Sequence, residues 1–106
     1  MKLPKGFGGQ GFGNMMQQAK VAMERAKHLE EELEQDRIPV DKGPVKVVFD
    51  GTGKMVGLKI DKSIVDPEDV EALEDLIISA ARDGFQTAVD IRAKKMGEIM
   101  PDIPGF

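Results

Sequence analysis

Val45-Lys46-Val47-Val48-Phe49-Asp50-Gly51-Thr52-Gly53-Lys54-Met55-Val56-Gly57-Leu58-Lys59-Ile60-Asp61 reads as a β-hairpin with one apolar face. Val45, Val47 and Phe49 alternate with Lys46, Val48 and Asp50, the period of a half-buried strand. Asp50-Gly51-Thr52-Gly53 is a turn, and Val56, Leu58 and Ile60 alternate with Gly57, Lys59 and Asp61 on the return. A lone hairpin is marginal in water, so this face must pack on a helix. Just upstream, Lys42-Gly43-Pro44 is a turn signal, and Ile38 and Val40 flank Pro39. A proline there admits an edge strand at most.

Helical patterns lie on both sides. Within residues 15–35 the apolar positions Met15, Ala19, Ala22, Ala26, Leu29 and Leu33 step by 4, 3, 4, 3, 4, a heptad seam that Phe12 extends by one step. Asn14 is the expected N-cap. Before it, residues 1–13 form a Gly-rich leader, expected to be a flexible arm. Charge along this helix runs basic first (Lys20, Arg25, Lys27) and acidic last (Glu30, Glu31, Glu32, Glu34, Asp36), the reverse of what the helix dipole favours. The second helix is expected over residues 67–96. Asp66 would cap it and Pro67 would take its first position, with Glu68 and Asp69 at the positive end of the dipole. Its stripe of Val70, Leu73, Ile77, Ala80, Gly84, Ala88 and Ile91 is widened by Leu76, Ala81, Phe85 and Val89, broad enough to meet both its own sheet and a second body. Gly84 weakens the helix by about 1 kcal/mol relative to Ala and so marks a close approach or a bend. Residues 97–106 read as an extended tail.

These elements make a single domain over residues 1–106, a β-hairpin with an edge strand at most beside it, flanked by a long N-terminal and a long C-terminal helix. Two long helices leave little chain for a core, which favours self-association. The 41% hydrophobic and 32% charged residues are an ordinary globular balance. No cysteine is present, so disulfides and thiolate metal sites are excluded. No apolar run approaches the roughly 20 residues of a membrane span, and the N-terminus lacks an apolar signal core. The cytoplasm is the expected compartment, with no membrane partner.

The residues give chemistry little to work with. His28 is the only histidine, with Ser63 and Ser79 the only serines and Thr52 and Thr87 the only threonines, and none of these has the histidine near it in sequence. Glu30, Glu31 and Glu32 point to different helix faces and do not pair. Gly6-Phe7-Gly8-Gly9-Gln10-Gly11 spells a dinucleotide fingerprint, but only five residues precede it, too few for the strand that such a turn requires. No enzyme, metal, cofactor or small-molecule substrate is expected. Charge is more telling. The net charge is −4, yet residues 1–28 hold Lys2, Lys5, Lys20, Arg25 and Lys27 against Glu24 alone. Lys20 and Lys27 share a helix face, and Arg92, Lys94 and Lys95 cluster near the end of the second helix. Such groups can contact phosphates, and with no aromatic residue interleaved they offer no base-stacking platform.

Taken together the pattern resembles the YbaB/EbfC family of bacterial nucleoid-associated proteins over nearly the whole chain. The residues that carry the resemblance are the Gly-rich start and Asn14-Met15-Met16-Gln17-Gln18-Ala19-Lys20. They continue with Gly43-Pro44-Val45-Lys46-Val47, the Asp50-Gly51 turn, and Leu58-Lys59-Ile60-Asp61-Lys62-Ser63-Ile64-Val65. Glu71-Ala72-Leu73-Glu74-Asp75-Leu76-Ile77 and the Pro-Gly-Phe tail complete them. The resemblance implies a small α+β fold with a short antiparallel sheet between the N-terminal and C-terminal helices, a homodimer with helices projecting like tweezers, double-stranded DNA as the partner, a place in the nucleoid, and effects on nucleoid organisation, DNA conformation or gene expression. The expected phosphate contacts are Lys2, Lys5, Lys20, Arg25, Lys27, Arg92, Lys94 and Lys95. A two-fold dimer would present each basic patch twice. Pro39, Pro44 and the alanine seam depart from the family pattern and bear on how far the arms stand apart. The alternative reading is a dimeric protein-interaction module without direct DNA function.

Overall fold

The computed structural model describes residues 10–99. In chain order they form α1 (Gln10–Gln35), β1 (Ile38–Asp41), β2 (Val45–Phe49), β3 (Met55–Ile60), a single 3-10 turn (Lys62–Ile64) and α2 (Val70–Ile99). The three strands are a meander in the order β1-β2-β3, antiparallel throughout. The architecture is therefore the expected α+β arrangement, with β1 an edge strand. Pro39 faces Val48 of β2, a position where a missing N–H on an edge strand is tolerated.

Three boundaries differ from the sequence reading. The first helix begins at Gln10, so Gly11 and Gly13 are helical and Asn14 is an interior residue, not a cap. The helix follows the heptad seam back through Phe12. The remainder of the expected arm, residues 1–9, lies outside the described residues, as does the tail from residue 100 onward. The second helix begins at Val70 rather than Pro67. Asp66 spends its carboxylate on the Glu68 amide and its carbonyl on the Asp69 amide, closing a separate turn. Asp69 then serves as the cap, accepting from the Ala72 amide at 3.4 Å. At its other end α2 passes through Gly97 to Ile99, beyond the expected stop.

The return strand also departs from simple alternation. Val48 faces Gly57, but Phe49 faces Met55, so Val56 is the extra residue of a β-bulge. Met55, not Val56, stands opposite Phe49 and joins Leu58 and Ile60 on the inner face.

The core lies between β1, β2 and the small residues of α2. Ile38, Val45, Val47 and Phe49 are buried against Ala80, Gly84 and Ala88. Gly84 is where the helix backbone comes nearest the sheet, and a Cβ there would stand 2.3 Å from the Phe49 ring. That close approach explains the glycine the sequence flagged. Because α2 lies over β1 and β2, β3 is left at the margin. Leu58 faces fully buried Val47 across the ladder yet is itself 50% exposed.

The C-terminal part of α1 is seated on the β2–β3 turn. Leu33 is completely buried, and its carbonyl accepts a 2.7 Å hydrogen bond from the Gly51 amide. The approach requires glycine, since a Cβ on residue 51 would meet the Leu33 Cδ2 at 2.7 Å and its carbonyl oxygen at 2.9 Å. Asp50 holds the turn in shape. Its buried carboxylate accepts from the Thr52 amide (2.9 Å), the Thr52 hydroxyl (2.6 Å) and the Lys54 amide (3.1 Å). These bonds, led by that from the Thr52 hydroxyl, hold its carboxyl below the usual aspartate value. Farther back, residues 11–20 are exposed throughout among the described residues, so the N-terminal half of α1 takes no part in the core.

A candidate nucleic-acid interface on the projecting helix

The seam of α1 changes character along its length. Leu29 and Leu33 are buried, Ala22 and Ala26 are half-buried, and Phe12, Met15 and Ala19 are exposed. Lys20, Arg25 and Lys27 are all exposed, and none makes an ion pair among the described residues. Lys20 and Lys27 share one face, as their spacing requires. Arg25 borders a cleft of about 430 Å³ between α1 and the end of α2, together with Gln18, Val21, Ala22, Glu98 and Ile99. His28 is exposed, with Nδ1 3.6 Å from a Glu31 carboxylate oxygen.

The basic residues of α2 divide into two kinds. Arg92 grips Glu30 with both terminal nitrogens, at 2.7 and 3.0 Å. Lys95 reaches Asp36 at 3.2 Å. Lys94 is exposed and makes no ion pair among the described residues. Two of the eight expected phosphate contacts are thus engaged within the chain, four are exposed and make no ion pair among the described residues, and Lys2 and Lys5 lie outside those residues. These pairs also account for the inverted charge order of α1. Its acidic end meets the basic end of α2, and two tertiary ion pairs offset part of the unfavourable dipole alignment. A third pair, Lys42 to Asp83, ties the β1–β2 turn to α2.

Sequence reasoning overlooked Lys46 and Lys59. They stand directly opposite one another on the sheet face turned away from α2, a like-charge pairing that is unfavourable by itself. The signal was available, since both are outward positions of alternating strands. Asp61 lies near them, its carboxyl held below the usual value chiefly by the Ser63 amide.

Among the described residues there is no grouping of three or more His, Asp or Glu side chains able to hold a metal ion, and no helix is long and apolar enough to cross a membrane. The surface instead offers the exposed cations Lys20, Arg25 and Lys27 on α1, suited to contact with phosphates at no fixed sequence.

The chain is similar to known proteins. A family model described as the YbaB/EbfC DNA-binding family matches residues 8–103. A nucleoid-associated protein of Syntrophobacter fumaroxidans is 37% identical over 110 residues, covering 100% of this chain and 94% of its own. A nucleoid-associated protein of Rhodococcus erythropolis is 36% identical, covering 87% of this chain and 90% of its own. The crystal structure of uncharacterized protein HP0035 from Helicobacter pylori superimposes with a TM-score of 0.76 at 26% identity, covering 85% of this chain and 97% of that one.

Proposed function

The chain belongs to the YbaB/EbfC DNA-binding family, and on that premise we propose that it is a homodimeric nucleoid-associated protein gripping duplex DNA mainly through backbone phosphates. We read it as a binding protein rather than an enzyme, acting in the cytoplasm on nucleoid organisation, DNA conformation or gene expression. One observation carries the reading. Lys20, Arg25 and Lys27 are exposed on α1 and make no ion pair among the described residues, on the side of the helix N-terminal to its acidic run. A chain of net charge −4 can approach a polyanion only where its cations are set apart in this way. Dimerisation doubles that surface, giving two arms instead of one. Lys94 is exposed and adds a further cation, whereas Arg92 and Lys95 would first have to leave Glu30 and Asp36.

The test is a salt titration of binding to a random-sequence duplex. Affinity should fall steeply with added salt, because each neutralised phosphate contributes about 0.9 to the slope of log affinity against log salt. Lys20→Glu with Lys27→Glu should weaken binding to all sequences alike and flatten that slope by about two such contributions per protomer. A double variant that binds as well as the unaltered protein would overturn the assignment of the arm.

A further inference from the structure

Arg92 and Lys95 are cations that the fold has already matched with anions. The two terminal nitrogens of Arg92 meet the two carboxylate oxygens of Glu30, at 2.7 and 3.0 Å. A guanidinium makes this two-pronged contact with a phosphate as well as with a carboxylate. Lys95, three residues on, reaches a carboxylate oxygen of Asp36 at 3.2 Å. All four side chains keep between 34% and 49% of their surface exposed. Ion pairs open to water in this way are screened and hold weakly, so another anion can compete for the same cations.

Two further observations bear on that competition. Lys95 and Arg25 line one cleft of about 260 Å³ between α1 and the end of α2, together with His28, Leu29, Glu32 and Glu98. A polyanion seated on Arg25 is thereby brought beside Lys95. Glu30 and Asp36 also belong to the acidic run of α1 and its exit, and within that run only these two pair with Arg or Lys among the described residues. Acids at the end of a helix oppose its dipole, yet these two are placed on cations that would otherwise enlarge the basic surface.

Resting on the DNA-binding reading above, we infer that Arg92 and Lys95 form a second phosphate site on each protomer, and that Glu30 and Asp36 occupy it in place of phosphate. The chain carries its own competitor for DNA. Lys20, Arg25 and Lys27 set the basal affinity, and the two carboxylates hold Arg92 and Lys95 out of the contact.

Salt titrations of binding to a random-sequence duplex, with the full chain, test the inference. Glu30→Gln with Asp36→Asn removes the competing charges at nearly constant shape. Glu32→Gln with Glu34→Gln removes two charges from the same run without touching Arg92 or Lys95, and so reports the effect of net charge alone. The first variant should bind more tightly than the second at low salt. Its salt slope should be steeper by about two contributions of roughly 0.9 per bound protomer, a further loss of about tenfold per protomer between about 50 and 200 mM salt. The second variant should keep the slope of the unaltered protein. Glu30→Gln alone should give about half the change, so the outcome does not hang on the folding of one double variant. Adding Arg92→Gln and Lys95→Gln to the first variant should restore the unaltered slope. Equal slopes for the two double variants, or a steep slope that survives the loss of Arg92 and Lys95, would overturn the inference and leave DNA binding by α1 standing. An unaltered protein that binds no duplex even at low salt would defeat the DNA reading and the inference together.

Discussion

The two halves of α1 share one heptad seam but have different surroundings. From Leu29 onward the seam is buried, the backbone is hydrogen-bonded to Gly51, and the carboxylates are paired with α2. From Phe12 to Lys20 every residue is exposed. An isolated helix of such a length is marginal, so the exposed half depends on the held half for its start. The contrast teaches that amphipathic spacing reports the capacity to pack and does not reveal how much of a helix finds a partner.

Truncation should break the symmetry of the seam most strongly. Leu33→Ala removes a fully buried side chain and should cost about 2–5 kcal/mol of unfolding free energy. Met16→Ala, 58% exposed at its methionine, should stay within about 0.5 kcal/mol. Equal losses in urea unfolding of the two variants would show that the exposed half is packed as tightly as the held one.

The glycines give a smaller and opposite pair. Gly51→Ala forces a methyl group against Leu33 and should destabilise by about 1–3 kcal/mol. Gly13→Ala meets nothing within 4 Å and should stabilise the helix by about 0.5–1 kcal/mol. Thermal melts of both variants would check the signs, and the contrast fails if Gly13→Ala is the more damaging.

The smallest effect concerns pH. Asp50 shapes the turn that holds Leu33, and its carboxyl sits below its ordinary value of 3.8 in the folded chain. Its ionised form therefore adds stability above pH 3.8, and that contribution is lost as pH falls through the lowered folded value. The urea midpoint of the unaltered protein should exceed that of Asp50→Asn at pH 6, and the gap should close on acidification. A gap independent of pH would mean that the carboxylate's charge plays no part.

Much of this was legible from the chain. Period-two alternation in 45–49 and heptad spacing in α1 report backbone geometry directly, and Pro39 marked an edge strand through its missing N–H. Gly84 was conspicuous because a glycine inside a helix costs stability and needs a reason. What stayed hidden depended on residues far apart in sequence. The pairing of Arg92 with Glu30 spans 62 positions, and the seat of Leu33 on Gly51 requires the hairpin to be folded first. The bulge at Val56 was hidden for a different reason: valine suits an alternating strand so well that nothing in its identity announces an extra residue. Of the candidate site, the free cations of α1 were readable as a run on one helix. The engagement of Arg92 and Lys95 was not, because a cation carries no mark of its partner.

The bond from Gly51 to the Leu33 carbonyl also has a consequence for the order of assembly. Each strand of the meander pairs with its sequence neighbour, so those contacts close short loops and form quickly. The turn that shapes the sheet is also the seat for α1, so the helix can be gripped only after the hairpin exists. The first part of the chain to be synthesised thus waits for the middle of the chain before its position is fixed.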